Sequence, residues 1–145
     1  MTVLIAITAV FLLLEIANVA ALYFSPGSTM FNAVGVFRAW EASKEHPEVH
    51  DLVRYLTFWV AGTKLIFILL LGSVLIFGDD RMKVIAVGAL ILSILSFFWR
   101  LFPLIRRMDA RSMLQPPGYS KALGFMIFGF LAALVVALGF GFTSL

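Results

Sequence analysis

The chain has no cysteine. That excludes disulfide bracing, thiolate metal ligation and thiol nucleophiles, and it leaves the redox compartment undefined. Charge is scarce as well. Asp, Glu, Lys and Arg make up 13% of the 145 residues, where a soluble domain carries about 25%. Apolar residues instead reach 62%, and the mean hydropathy is +1.04. A chain this short cannot hide such an excess in one core, so much of its surface is expected to be apolar and its solvent lipid. A soluble enzyme and a disordered tail are excluded on that ground. There is no Ser/His/Asp arrangement, Walker loop, HExxH run or dinucleotide glycine pattern, and hence no catalytic signature. No histidine lies deep in an apolar run where it could ligate haem, and no cofactor is expected.

What is present is four long apolar runs, at about 2–24, 52–77, 82–105 and 119–145. Each meets the roughly 20 residues needed to cross a hydrocarbon core of ~30 Å. The expected fold class is therefore an all-α integral membrane protein. One domain over 1–145 would hold four transmembrane helices in an antiparallel bundle. The first run has no basic stretch before it and is too long for a cleaved signal peptide. Gly78-Asp79-Asp80-Arg81 reads as a tight turn, so the second and third spans should form an antiparallel hairpin. Pro116-Pro117-Gly118 breaks the chain before the fourth span.

Orientation follows from the basic residues. Arg38, Lys44, Arg54, Arg106, Arg107, Arg111 and Lys121 fall on one side, Arg81 and Lys83 on the other, seven against two. The basic side is normally cytoplasmic, which puts both termini outside and the long loops inside. Trp40, Tyr55, Trp59, Trp99 and Tyr119 gather toward that side as interface anchors would. The net charge of +3 is then topological. It implies contact with anionic lipid of the inner leaflet and gives no reason to expect nucleic acid.

Between the first two spans, 29–45 reads as an interfacial amphipathic helix. Phe31, Val34, Phe37 and Trp40 share one face, while Arg38, Glu41, Lys44 and Glu45 are polar. It would be either a connector at the headgroups or a lid over an inner-facing site. His46 and His50 stand four apart, a possible metal spacing, but Pro47 between them suits a capped helix start, and no metal is expected. Glu48, His50 and Arg54 are the polar groups available for a site at this inner face.

Three ionisable side chains lie within the spans: Glu15, Lys64 and Arg100. Glu15 and Lys64 both fall roughly 15 Å below the inner boundary, and Arg100 roughly 9 Å. Thr8, Glu15 and Asn18 share a helix face in the first span, Thr57, Ala61 and Lys64 in the second, and Ala89, Ser93, Ser96 and Arg100 in the third. These faces are expected to point at one another and gather Glu15, Asn18, Lys64, Ser93, Ser96 and Arg100 into one cluster. The cluster could be an ion pair that fixes register, with Arg100 snorkelling, or a site whose second cation needs an anionic solute, a lipid phosphate or another chain's carboxylate. In the fourth span Gly129, Ala133, Ala137 and Gly141 form a small-residue stripe, suited to packing within the bundle or to an oligomer face.

In size, span number, inner first loop and charges near the second span, the chain resembles the membrane-associated eicosanoid and glutathione metabolism proteins. Those carry a Glu, Arg, His and Asn motif on the second span. Glu48-Val-His50-Asp51-Leu-Val-Arg54 does not reproduce it, so no catalytic residue is carried across. The leading expectation is a small polytopic membrane protein acting by helix packing, as a homo-oligomer or a subunit of a larger complex. The alternatives are a transporter or channel for an ion or anionic solute using Glu15, Lys64 and Arg100, and a membrane enzyme acting on a lipophilic substrate at the inner face.

Overall fold

Long runs of apolar residues build each long helix and leave it apolar on nearly every side, so packing rather than apolar periodicity selects the inward face. In the computed structural model, which describes residues 1–143, these are α1 (Thr2–Phe24), α3 (Pro47–Phe77), α4 (Asp80–Leu95) and α6 (Tyr119–Phe142). Two shorter helices, α2 (Arg38–Ser43) and α5 (Leu101–Ala110), complete the set, and no strand occurs among the described residues. The last two residues of the expected fourth span, 144 and 145, lie outside the described residues. Four helical stretches are long and apolar enough to cross a membrane: Thr2–Phe24, Pro47–Phe77, Asp80–Ala110 and Tyr119–Phe142.

The core runs along the length of the bundle. α1 contributes Leu4, Leu12, Val19 and Leu22, and α3 contributes Ala61, Ile68 and Leu71. Val84, Val87, Leu90 and Ile91 of α4 meet Leu131, Leu134 and Ala137 of α6 in the same cluster. α1 packs most extensively on α3 and also on α6, while α4 packs on α6. α3 and α4, although joined by a tight turn, touch far less. The turn follows its sequence. Gly78 ends α3, and the Asp79 carboxylate accepts the Met82 N–H at 2.7 Å to cap α4. The opposite faces are apolar but open: Leu70 is 65% exposed and Leu92 71%.

One expectation fails here, and one span, long and apolar enough to cross as expected, is interrupted. The segment 29–45 is not one helix. Its first part is a folded loop, with a 3-10 turn at Val34–Val36, an extended Phe37, and only α2 as regular helix. Phe31 and Asn32 have φ of 53° and 56°, and a right-handed helix cannot pass through residues held in that region. Gly35 sits so close to the preceding turn that a Cβ would fall 2.0 Å from the Gly27 carbonyl oxygen. Phe37 then bridges Leu114, with Arg38 N–H donating to Met113 O at 3.0 Å and Gln115 N–H to Val36 O at 2.8 Å. The two loops at this end of the bundle are therefore stitched together. Trp40, one of the expected interface anchors, is buried.

The third span is also broken. α4 stops at Leu95, a 3-10 turn covers Ser96–Phe98, and α5 restarts at Leu101. Pro103 explains the break: it has no N–H to give, and its ring would strike the carbonyl of Trp99 in a continuous helix. α5 turns Phe102 and Ile105 inward beside α6 and leaves Arg106 and Arg107 exposed. Gly124 of α6 makes this approach possible, since a Cβ there would lie 2.7 Å from the Phe102 ring.

Candidate functional site

The polar residues of α1 and α3 meet. Lys64 Nζ stands 2.7 Å from Glu15 Oε2 and donates to Asn18 Oδ1 at 2.6 Å. The side chains of Lys64 and Glu15 are 30% and 22% exposed. Neighbouring contacts show how the register delivers them. Phe11 packs edge-on against Phe67, and Tyr23 stacks on Phe58 at 5.9 Å. Position 15 of α1 is therefore level with position 64 of α3. The other buried hydroxyls need no partner from this site: Thr8 Oγ1 donates to Leu4 O at 2.8 Å and Thr57 Oγ1 to Val53 O at 2.7 Å.

Asn18 carries the network out of the helices. Its amide nitrogen donates to the Phe31 carbonyl and, at 3.2 Å, to the Asn32 carbonyl. The Asn32 side-chain oxygen in turn accepts from the Tyr119 hydroxyl at the start of α6. One asparagine thus uses its oxygen on Lys64 and its nitrogen on the loop, which fixes the orientation of its amide. The left-handed backbone at Phe31 and Asn32 is what turns both carbonyls toward it. The result is a polar chain from α3 through α1 and the first loop to α6. Sequence reasoning found Glu15, Asn18 and Lys64. It missed Asn32, whose signal was an asparagine in a glycine- and serine-rich loop, and it read Tyr119 only as an anchor.

Ser93, Ser96 and Arg100 do not join the cluster. All three are exposed on the outer side of α4 and the turn that follows it. The reason is packing. α4 spends its one inward face on Val84, Val87, Leu90 and Ile91 against α6, and Ser96 satisfies its hydroxyl on Ser93 O at 2.6 Å without leaving the helix surface. Arg100 has its guanidinium 5.3 Å from the Trp99 ring and no carboxylate partner among the described residues.

The inner-face trio does not assemble either. Glu48 is exposed, and Arg54 leans over Phe58 with Asp51 at 3.8 Å. His50 turns to α2, its ring 4.8 Å from that of Trp40 and its Nδ1 2.8 Å from Ser43 Oγ. Ser43 Oγ also lies 2.7 Å from Trp40 O, so one hydroxyl touches both the α2 backbone and the imidazole. The pair is a clasp between α2 and α3, and His46 stands at the N-cap position of α3 without a side-chain capping bond. No group of three His, Asp or Glu suited to a metal occurs among the described residues.

The small-residue stripe of α6 is divided. Ala137 and Gly141 are buried, and a Cβ on Gly141 would meet Leu4 Cδ1 at 2.7 Å and Val84 Cγ2 at 3.1 Å. Gly129 is exposed with nothing near it, and Ala133 lies between these extremes.

A separate groove of about 750 Å³ lies between α5 and the first half of α6. Phe98, Phe102, Phe125 and Phe128 line one end of it and Arg106, Asp109, Ser120 and Lys121 the other. The Asp109 carboxylate caps α6. Its Oδ1 accepts from Gly118 N–H at 3.1 Å, and its Oδ2 accepts from Ser120 N–H at 3.0 Å and Ser120 Oγ at 2.6 Å. The chain matches no protein family, no curated protein and no solved structure.

Proposed function

We propose that the chain is a multi-pass membrane protein that works as a building block of a membrane assembly, associating through the outer face of α4. The observation that carries this reading is the unpaired Arg100 at the end of an outward stripe of Ala89, Ser93 and Ser96. In lipid, apolar surface gives helices no reason to associate, whereas small and polar residues do. An arginine in such a span needs a carboxylate or a headgroup. A neighbouring helix that closes on Ser93 and Ser96 would supply hydrogen-bond partners and bring an acceptor to Arg100. In this reading α1, α3, α4 and α6 alternate in direction, the termini are outside, and the basic loops face the cytoplasm.

The polar chain centred on Glu15, Asn18 and Lys64 then serves as internal scaffolding. Its ammonium, carboxylate and amide engage one another, which supports a register lock more than a transport path. The separation of Glu48, His50 and Arg54, each turned to a different neighbour or to the surface, likewise weighs against an enzyme at the inner face.

The absence of native cysteine makes the test direct. Ser93→Cys should cross-link into a dimer by mild oxidation in native-lipid nanodiscs if the chain pairs with itself. Leu70→Cys, on an exposed apolar face, should not. Ser93→Cys chains that cross-link neither to one another nor to any co-purified subunit, in particles holding one copy, would refute the assembly.

A further inference from the structure

The α5–α6 groove is two-ended, and we infer that it holds one anionic phospholipid, with the phosphate between Arg106 and Lys121 and an acyl chain along the phenylalanines. The ends are ordered by helix geometry. Phe98 and Phe102 lead to Arg106 on one wall, while Phe128 and Phe125 lead to Lys121 on the other. Both walls therefore run from apolar to cationic in the same direction. The cationic end adjoins the stitched loops, on the side where the basic residues gather. A phospholipid of that leaflet has the same polarity: charged head at the boundary, chain toward the midplane. The groove is open and its volume of about 750 Å³ is smaller than a whole phospholipid, so it would hold the head and part of one chain, with the rest lying in the bilayer.

Charge points the same way. Neither Arg106 nor Lys121 forms an ion pair within 4.0 Å among the described residues, although Lys121 acts on the Asp109 carboxylate from farther away. Asp109 is the one acid in the lining, and both of its oxygens are engaged by the N-terminus of α6 and Ser120. Two cations against one capped carboxylate leave this end positive. The aromatic end is firm on the α5 side, where Phe98 and Phe102 pack against each other and against Phe97 at 5.1–5.7 Å. Phe125 and Phe128 of α6 are exposed and have no aromatic partner in this cluster. They form a wall open to a chain.

The inference rests on the membrane placement proposed above but not on the α4 interface. The full-length protein, purified in a neutral detergent, is titrated with phosphatidylglycerol and separately with phosphatidylcholine of the same acyl chains, and bound lipid is counted by intact-complex mass spectrometry. One phosphatidylglycerol should be retained in preference to phosphatidylcholine. Arg106→Gln and Lys121→Gln should each weaken that preference about fivefold, and the double variant about 25-fold, as ~1 kcal/mol per cation converts. Arg111→Gln, outside the lining, should leave it unchanged. Phe125→Ala should weaken retention of the lipid, and soluble glycerol phosphate should not displace it. Equal retention of the two lipids overturns the inference, as does an equal loss with Arg111→Gln. Displacement by glycerol phosphate would also overturn it, by marking a simple anion site. Failure of the chain to insert into vesicles would instead sink the membrane reading itself.

Discussion

The Glu15–Lys64 pair lends itself to a double-mutant cycle. Removing one partner of a fully buried ion pair costs about 3–5 kcal/mol, because the remaining charge is stranded, while replacing both by apolar residues of similar size is often neutral. The two side chains are 22% and 30% exposed, so part of that penalty is relieved. Each single leucine variant should therefore cost roughly 2–3 kcal/mol. Glu15→Leu should be the milder, because Lys64 keeps Asn18 Oδ1 at 2.6 Å. Lys64→Leu leaves the carboxylate with no ammonium. The double variant restores neutrality and should cost less than either single. Reversible unfolding in mixed micelles, followed by helical circular dichroism, would measure the cycle. A double variant as costly as the sum of the singles would refute the idea that the two charges are held by each other.

Asn18→Leu keeps the side-chain size but removes the donors to the Phe31 and Asn32 carbonyls. It should cost about 1–3 kcal/mol and speed chymotryptic cleavage at Phe31 and Phe37; an unchanged cleavage rate would mean that the loop is held by its other contacts. The two ends of the α6 stripe should respond oppositely to a larger side chain. Gly141→Val places a Cβ 2.7 Å from Leu4 Cδ1 and should lower stability by roughly 1–3 kcal/mol. Gly129→Ala meets nothing and should be neutral or slightly stabilising, because alanine favours a helix more than glycine does. Thermal unfolding in detergent compares the two, and equal shifts would contradict the packing described.

The sequence by itself determined the helical class, the approximate ends of three of the four long helices, and the meeting of Glu15 with Lys64. The reason is that these rest on local quantities. Hydropathy over about 20 residues selects a span, and ~1.5 Å per residue sets depth along it. Asp79 at a cap or Pro47 in a first turn acts within one turn of helix. Helix rotation about its own axis is not local. Ser93 of α4, Ser96 in the turn after it and Arg100 before α5 were expected to face inward, yet α6 offered better packing to Val84, Val87 and Leu90 on another face. The 29–45 segment has helical periodicity, but the amide of Asn18, 13 residues before Phe31, and the bridge from Phe37 to Leu114 drew it into a loop. The groove between α5 and α6 depends on a proline that bends one chain segment and a glycine that admits Phe102 on another. Such features are properties of two surfaces in contact, and only the tertiary structure brings those surfaces together.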